Sequence, residues 1–215
     1  MASRRRPEPG TAVRIRAAGR LDSFPMGQLR RALPVKLIVG LLGQDADVLR
    51  RARQKLVRRF GQTDLESDLI AFEFTDYYAR EMGENLLRWF LSFSNVIQPD
   101  QLAEIKEFTN RLEAELAEQL LADVPRPVNI DPGYIDLGKL VLATTKDRAH
   151  RICIGPRVYA EVTLQYVQGA WQPSPWTYPD YQTPRYQEFL TAARVQLKAQ
   201  RDAFLRLPDA GSGAA

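Results

Sequence analysis

The run VKLIVGLLG at positions 35–43 is short, almost continuously apolar and rich in β-branched residues. That pattern belongs to a strand buried on both faces, so the fold must supply apolar cover on either side of it. A helix is predicted directly afterwards. Leu49, Ala52, Leu56 and Phe60 recur at helical spacing, Asp45 or Asp47 can cap the start, and Gly61 suits the left-handed position at the end. A strand, a glycine-containing turn and a helix invite comparison with a phosphate cradle. The segment GLLGQDAD, however, lacks the Lys and Ser/Thr of a P-loop, and its two aspartates would stand where phosphate should sit. Capping is the better account of them.

Residues 69–74 alternate Ile70, Phe72 and Phe74 with Ala and Glu, as a half-buried strand does. Tyr77, Tyr78, Glu81 and Met82 follow as a compact aromatic and acidic cluster, which reads either as a plug for the end of a sheet or as one wall of a ligand pocket. A further strand is predicted over 86–97. From Pro99 a helix is marked by the stripe Leu102, Ile105, Phe108 or Thr109, Leu112, Leu116 and Leu120, with Glu104, Glu107, Glu113, Glu115 and Glu118 mostly on a solvated face.

Val128 and Ile130 then alternate with Asn129 and Asp131 before Pro132 and Gly133, which read as a turn. KLVLATTKDRAHRICIG gives two strands around a turn at Lys146 to Arg148, and VYAEVTLQYV a third after Gly155 and Pro156. Pro173, Pro175, Pro179 and Pro184 stiffen a strap carrying Trp171, Trp176, Tyr178 and Tyr181. A last helix then buries Phe189, Ala193, Leu197 and Phe204. The expected fold is α+β: a ferredoxin-like split βαβ unit extended by an antiparallel β-meander and a C-terminal helix. The expected organisation is a disordered Arg-rich leader over 1–33, a single α+β domain over 34–206, and a disordered tail over 207–215.

Charge is uneven along the chain. The net value of +4 hides eight arginines before Val35 against only Glu8 and Asp22, which leaves the remainder at −2. A slightly acidic body lacks the broad basic face of a duplex-binding domain, although a local groove can still be basic. The leader resembles a transit peptide, but high-GC coding or a misplaced start gives the same composition, and Met26 is an alternative first residue. No apolar run approaches the roughly 20 residues needed to span a bilayer. With no signal core and a lone Cys153, the expectation is a cytoplasmic protein without membrane association.

The unusual chemistry falls between Pro125 and Leu164, which hold the single histidine and the single cysteine. In an antiparallel hairpin, facing residues have numbers that sum to a constant. With a turn centred near Pro156, either His150 or Arg151 lies opposite Glu161. Around Asp147, Thr144 or Thr145 lies opposite His150. A polar line of threonine, His150 and Glu161 thus crosses three strands, with Tyr159 and Thr163 on the face of Glu161 and Val158, Ala160, Val162 and Leu164 on the other.

A histidine oriented by a carboxylate can act as a general base, and Lys146 and Arg151 can neutralise phosphate or carboxylate. His150 and Glu161 are the catalytic candidates. Lys146, Arg151, Asp131, Tyr134, Thr144, Trp176, Tyr178 and Asp180 are the ligand-binding ones. The competing account is a solvated sheet surface with ordinary cross-strand charge pairs. One His and one Cys cannot form the usual zinc set, so no metal site is assigned, while magnesium or calcium on Asp131, Glu161 or Asp180 stays open. Cys153 reads as structural.

The succession VKLIVGLL, FTDYYAREMG, IKEFTNRLE, NIDPGYI, LVLATTKDRAHRI, YAEVTL and WTYPDY, from about Pro34 to Leu205, closely resembles the bacterial family called domain of unknown function 4416. The resemblance implies no stated activity or cofactor. Members are sometimes labelled GTP-binding, and this chain has neither a P-loop nor a guanine-specificity motif to match. Cys153 stands where an aromatic residue is expected in such relatives. Three functions are left open. The first is a pocket that binds or transforms a small phosphorylated or otherwise anionic, even nucleotide, ligand. The second is an RNA-binding module aided by the Arg-rich leader, and the third a non-catalytic structural or adaptor protein.

Overall fold

The computed structural model describes residues 32–74, 79–120 and 124–206. Most of the expected leader, Tyr77 and Tyr78 of the aromatic cluster, and the expected tail lie outside the described residues.

Strand β1 (Val35–Gly43) is buried along its whole length. Helix α1 (Ala46–Phe60) follows, with the Asp45 side chain accepting from the N–H of Asp47 at 2.6 Å and Gly61 closing it at φ 94°. Next come β2 (Thr63–Glu66), β3 (Ile70–Ala71), the single turn α2 (Ala79–Met82) and β4 (Leu87–Ile97). Helix α3 (Leu102–Leu120) leads to β5 (Asn129–Asp136), β6 (Lys139–Thr144), β7 (Ile152–Gly155), β8 (Val158–Val167) and β9 (Ala170–Pro173). A 3₁₀ turn at Pro179–Gln182 precedes the long helix α4 (Pro184–Arg206).

The strands form one antiparallel sheet in the order β2-β4-β1-β5-β6-β8-β7, with β3 beside β4 and β9 beside β8. Two apolar layers explain why β1 has no polar face. Leu37, Val39 and Leu41 pack with Leu49 and Leu56 of α1 and Ile105 and Leu112 of α3. Ile38 points the other way, with Phe90 and Ile135, against Leu190, Ala193 and Leu197 of α4. Arg201 fastens α4 down, its Nε donating to the carbonyl of Pro34 at 2.7 Å and its Nη1 to Asp136 at 2.7 Å. The fold is a mixed α+β architecture with helices on both faces. The face of the sheet opposite α1 and α3 lies beneath α4.

Three expectations change. Pro132 and Gly133 are not a turn but lie inside β5, opposite Val39 and Ile38. Gly133 is required by close approach, since a Cβ there would sit 2.4 Å from the Val141 carbonyl oxygen and 2.6 Å from Leu142. The strands after it do not run as a sequential meander. β6 pairs directly with β8, and β7 lies on the outer edge of β8. The reason is burial: the apolar run Leu140–Ala143 of β6 needs the apolar β8 beside it, whereas Ile152 and Cys153 of β7 are exposed. Finally, a register shift between Leu140 and Val141 breaks the alternation of β8, so Val158, Ala160 and Val162 face α3 while Leu164 joins the α4 side.

Candidate functional site

The sheet opens between β5 and β6. Pairing of these strands begins only at Gly133↔Leu142, and Pro132, having no N–H, cannot extend the ladder toward Asn129. The backbone of Ile130 is left without a neighbouring strand on that side, and α3 supplies substitutes. Lys106 Nζ donates to the Ile130 carbonyl at 3.0 Å, and the Ile130 N–H donates to Glu113 Oε1 at 2.7 Å. The gap thus made is a cavity of about 510 Å³, within the range of small-molecule sites.

Six cationic side chains line the cavity: Arg88, Lys106, Arg126, Lys146, Arg148 and Arg151. Among the described residues three carboxylates do, Asp131, Glu161 and Asp180. Arg88 comes from β4 and is almost fully buried, standing 3.6 Å from Asp131 and 3.5 Å from Asp180. Its Nε and Nη1 are buried with no hydrogen-bond acceptor. Burial opposes its charge, but neighbouring tyrosines and the two acids raise its pKa further. Lys106 also lies 3.6 Å from Asp131. Arg126 is held by Glu113 Oε2 at 2.7 Å and also donates to Asn129, whose amide donates to Asp131 at 2.5 Å.

Environment separates the acids. Burial pushes Asp180 and Glu113 above the usual carboxylate range, although Arg88 opposes it at Asp180 and Lys106 and Arg126 oppose it at Glu113. Asp131 is lowered despite burial, because Lys106, Arg88 and Arg126 outweigh it. Burial likewise raises Tyr186, to about 12.

On the β8 side, Glu161 is gripped from two directions. Arg151 Nε donates to its Oε2 at 2.7 Å, and His150 Nε2 lies 3.1 Å from the same oxygen. Arg151 Nη1 also bonds the Lys146 carbonyl at 2.9 Å, and the Lys146 N–H donates to Thr144 Oγ1 at 3.2 Å, which folds residues 145–151 over the cavity. His150 stacks on Trp176, ring centroids 4.8 Å apart and planes 8° from parallel, and Trp176 Nε1 donates to the Val162 carbonyl at 3.0 Å.

The sequence candidates are therefore partly assembled. Asp131, Thr144, Lys146, Arg151, Glu161, Tyr178 and Asp180 share the cavity wall. His150 contacts Glu161 from a loop, while the β7–β8 register, with Ile152 opposite Ala160, brings Arg151 rather than His150 level with Glu161. His150 stands with Trp176 outside the lining, and the threonine on Glu161 is Thr163, at 3.4 Å, not Thr144. Tyr134 is elsewhere, on the α3 face among Leu102, Val141 and Ala160. Glu113 is not on a solvated face. Among the described residues no group of three or more His, Cys, Asp or Glu is placed to hold a metal ion, and the oxygens of Asp131, Asp180 and Glu161 face protein cations instead. No helix among them is long and apolar enough to cross a membrane.

Arg88, Lys106, Arg126 and Arg148 were not among the candidates. The available signal was a charge inside an apolar pattern: Arg88 within LLRWFLSF, and Lys106 one turn after Leu102 on the buried stripe of α3.

Residues 33–196 match the family described as domain of unknown function (DUF4416), and the chain belongs to that family. A comparison with curated protein sequences finds no match.

Proposed function

We propose that this family member binds a small phosphorylated or otherwise anionic compound in the gap between β5 and β6. The observation that carries the reading is the charge of the cavity wall: among the described residues six cations line it against three carboxylates, with Lys146 and Arg148 on its exposed rim. Lys106 and Arg88 are buried in this wall and share Asp131, and buried charge is costly unless opposite charge meets it. The incompletely bonded guanidinium of Arg88 points the same way, because buried donors without acceptors are uncommon outside functional positions.

In this reading Lys106 and Arg88 anchor the anion at the buried end of the gap, while Arg151, held by Glu161, borders the other end. Glu161 and His150, the sequence's catalytic pair, act as positioning residues: Glu161 fixes Arg151, and His150 with Trp176 braces Glu161 from outside. The antiparallel order β2-β4-β1-β5, with α1 and α3 on one face, supports reading the N-terminal half as a ferredoxin-like split βαβ unit.

Native mass spectrometry of freshly purified full-length protein tests the reading. A retained small anion, released on denaturation and depleted in Lys106→Met, is the expected result. Absence of any adduct, together with no thermal stabilisation by phosphate or phosphorylated metabolites, would remove it.

A further inference from the structure

We infer that the ligand carries two anionic groups, one for each end of the gap. This rests on the anion-binding reading above and narrows it. The six cations do not form one patch. Arg88, Lys106 and Arg126 come from β4, α3 and the segment before β5, and Arg88 and Lys106 share Asp131 as their acid. Lys146, Arg148 and Arg151 all come from residues 145–151, and Arg151 is held by a different acid, Glu161 of β8.

Strand order separates the two acids. Asp131 is on β5 and Glu161 on β8, with β6 between them. Two strand spacings place those backbones on the order of 10 Å apart. Arg88 and Lys106 are thus anchored on one side of β6 and Arg151 on the other. A molecule with anionic groups at both ends can engage both, and the cavity volume of about 510 Å³ leaves room for the linking atoms. At the inner end Arg88 and Lys106 are buried, and Arg88 is incompletely hydrogen-bonded. The outer end lies on a loop whose Arg148 is exposed. A first group therefore anchors at Arg88 and Lys106, and the second is gathered by the loop.

The probes are straight-chain α,ω-bisphosphonates of increasing length and the matching monophosphonates, titrated calorimetrically into the full-length chain. One length should bind at least about tenfold tighter than its monophosphonate, since linking two binding events raises effective concentration. Arg148→Glu, a change on an exposed loop, should erase that advantage and leave monophosphonate affinity unchanged. Lys106→Met should weaken both probes, with thermal melts confirming that each variant is folded. If monophosphonates bind but no bisphosphonate binds better, or if Arg148→Glu weakens the two probes equally, the two-ended ligand is wrong and simple anion binding stands. If neither probe binds, the underlying reading fails with it.

Discussion

The ammonium of Lys106 donates to the carbonyl of Ile130 at 3.0 Å, where a residue of β6 would stand if the β5–β6 ladder continued past Gly133. A charged helix residue thus completes a sheet, and the space that the missing strand segment would occupy becomes the cavity.

Lys106→Met keeps most of the aliphatic stem but removes the donor, leaving the Ile130 carbonyl without its partner. The expected loss is ~1–3 kcal/mol of folding stability, the usual cost of stranding a buried backbone group. Urea denaturation measures it, and an unchanged midpoint would contradict the substitute-strand assignment.

Gly133→Ala places a methyl against the Val141 carbonyl and Leu142. Overpacking of this kind costs about 1–3 kcal/mol. Because the contact lies at the first β5–β6 pair, it should also loosen the cavity's inner end. Hydrogen exchange at Val141 and Leu142 should rise in step with the lost stability. Protection equal to that of the unmodified protein would show that β6 does not depend on this close approach.

How much of this was legible in the sequence depended on periodicity. The strand 35–43, the helix after it, the strand near 86–97 and the helix from Pro99 follow from apolar spacing, and each appears close to its expected bounds. β2, with the sequence TDLE, has one apolar residue and gave no pattern to detect. That His150 or Arg151 approaches Glu161 was within reach because short turns restrict pairing, and both side chains contact that carboxylate. Arg88 and Lys106 were not. A charge inside an apolar stripe also describes Lys36, which is fully buried yet pairs with Asp64 and Gln200 away from the cavity. Only the point at which β5 and β6 part distinguishes these cases, and that is a tertiary fact.

Asp180 should make anion affinity depend on pH. Burial raises its carboxyl above the usual range, so as pH falls toward that range it loses its charge before an exposed aspartate would. Losing a negative charge beside Arg88 favours an incoming anion, so affinity should rise as pH falls. Asp180→Asn should bind more tightly at neutral pH with a flatter profile. Titrations at several pH values measure this, and an identical slope in the variant would exclude Asp180 as the source.

His150→Ala removes one bond to Glu161 and the stack on Trp176, while Arg151 continues to hold the carboxylate. The stability cost should be ~0.5–1.5 kcal/mol, the scale of an aromatic pair. Phosphate affinity should stay within about threefold, less than the tenfold that corresponds to 1.4 kcal/mol. Complete loss of binding would return His150 to direct contact with the ligand.

Calorimetric titration of inorganic phosphate into the full-length protein and into Lys106→Met measures the anion site at the β5–β6 gap. One saturable site is expected in the unmodified chain, with an affinity lower by about tenfold or more in the variant, the effect of losing a charge-assisted hydrogen bond worth ~1.5–3 kcal/mol. Equal affinities, or no saturable binding to the unmodified chain, would contradict it.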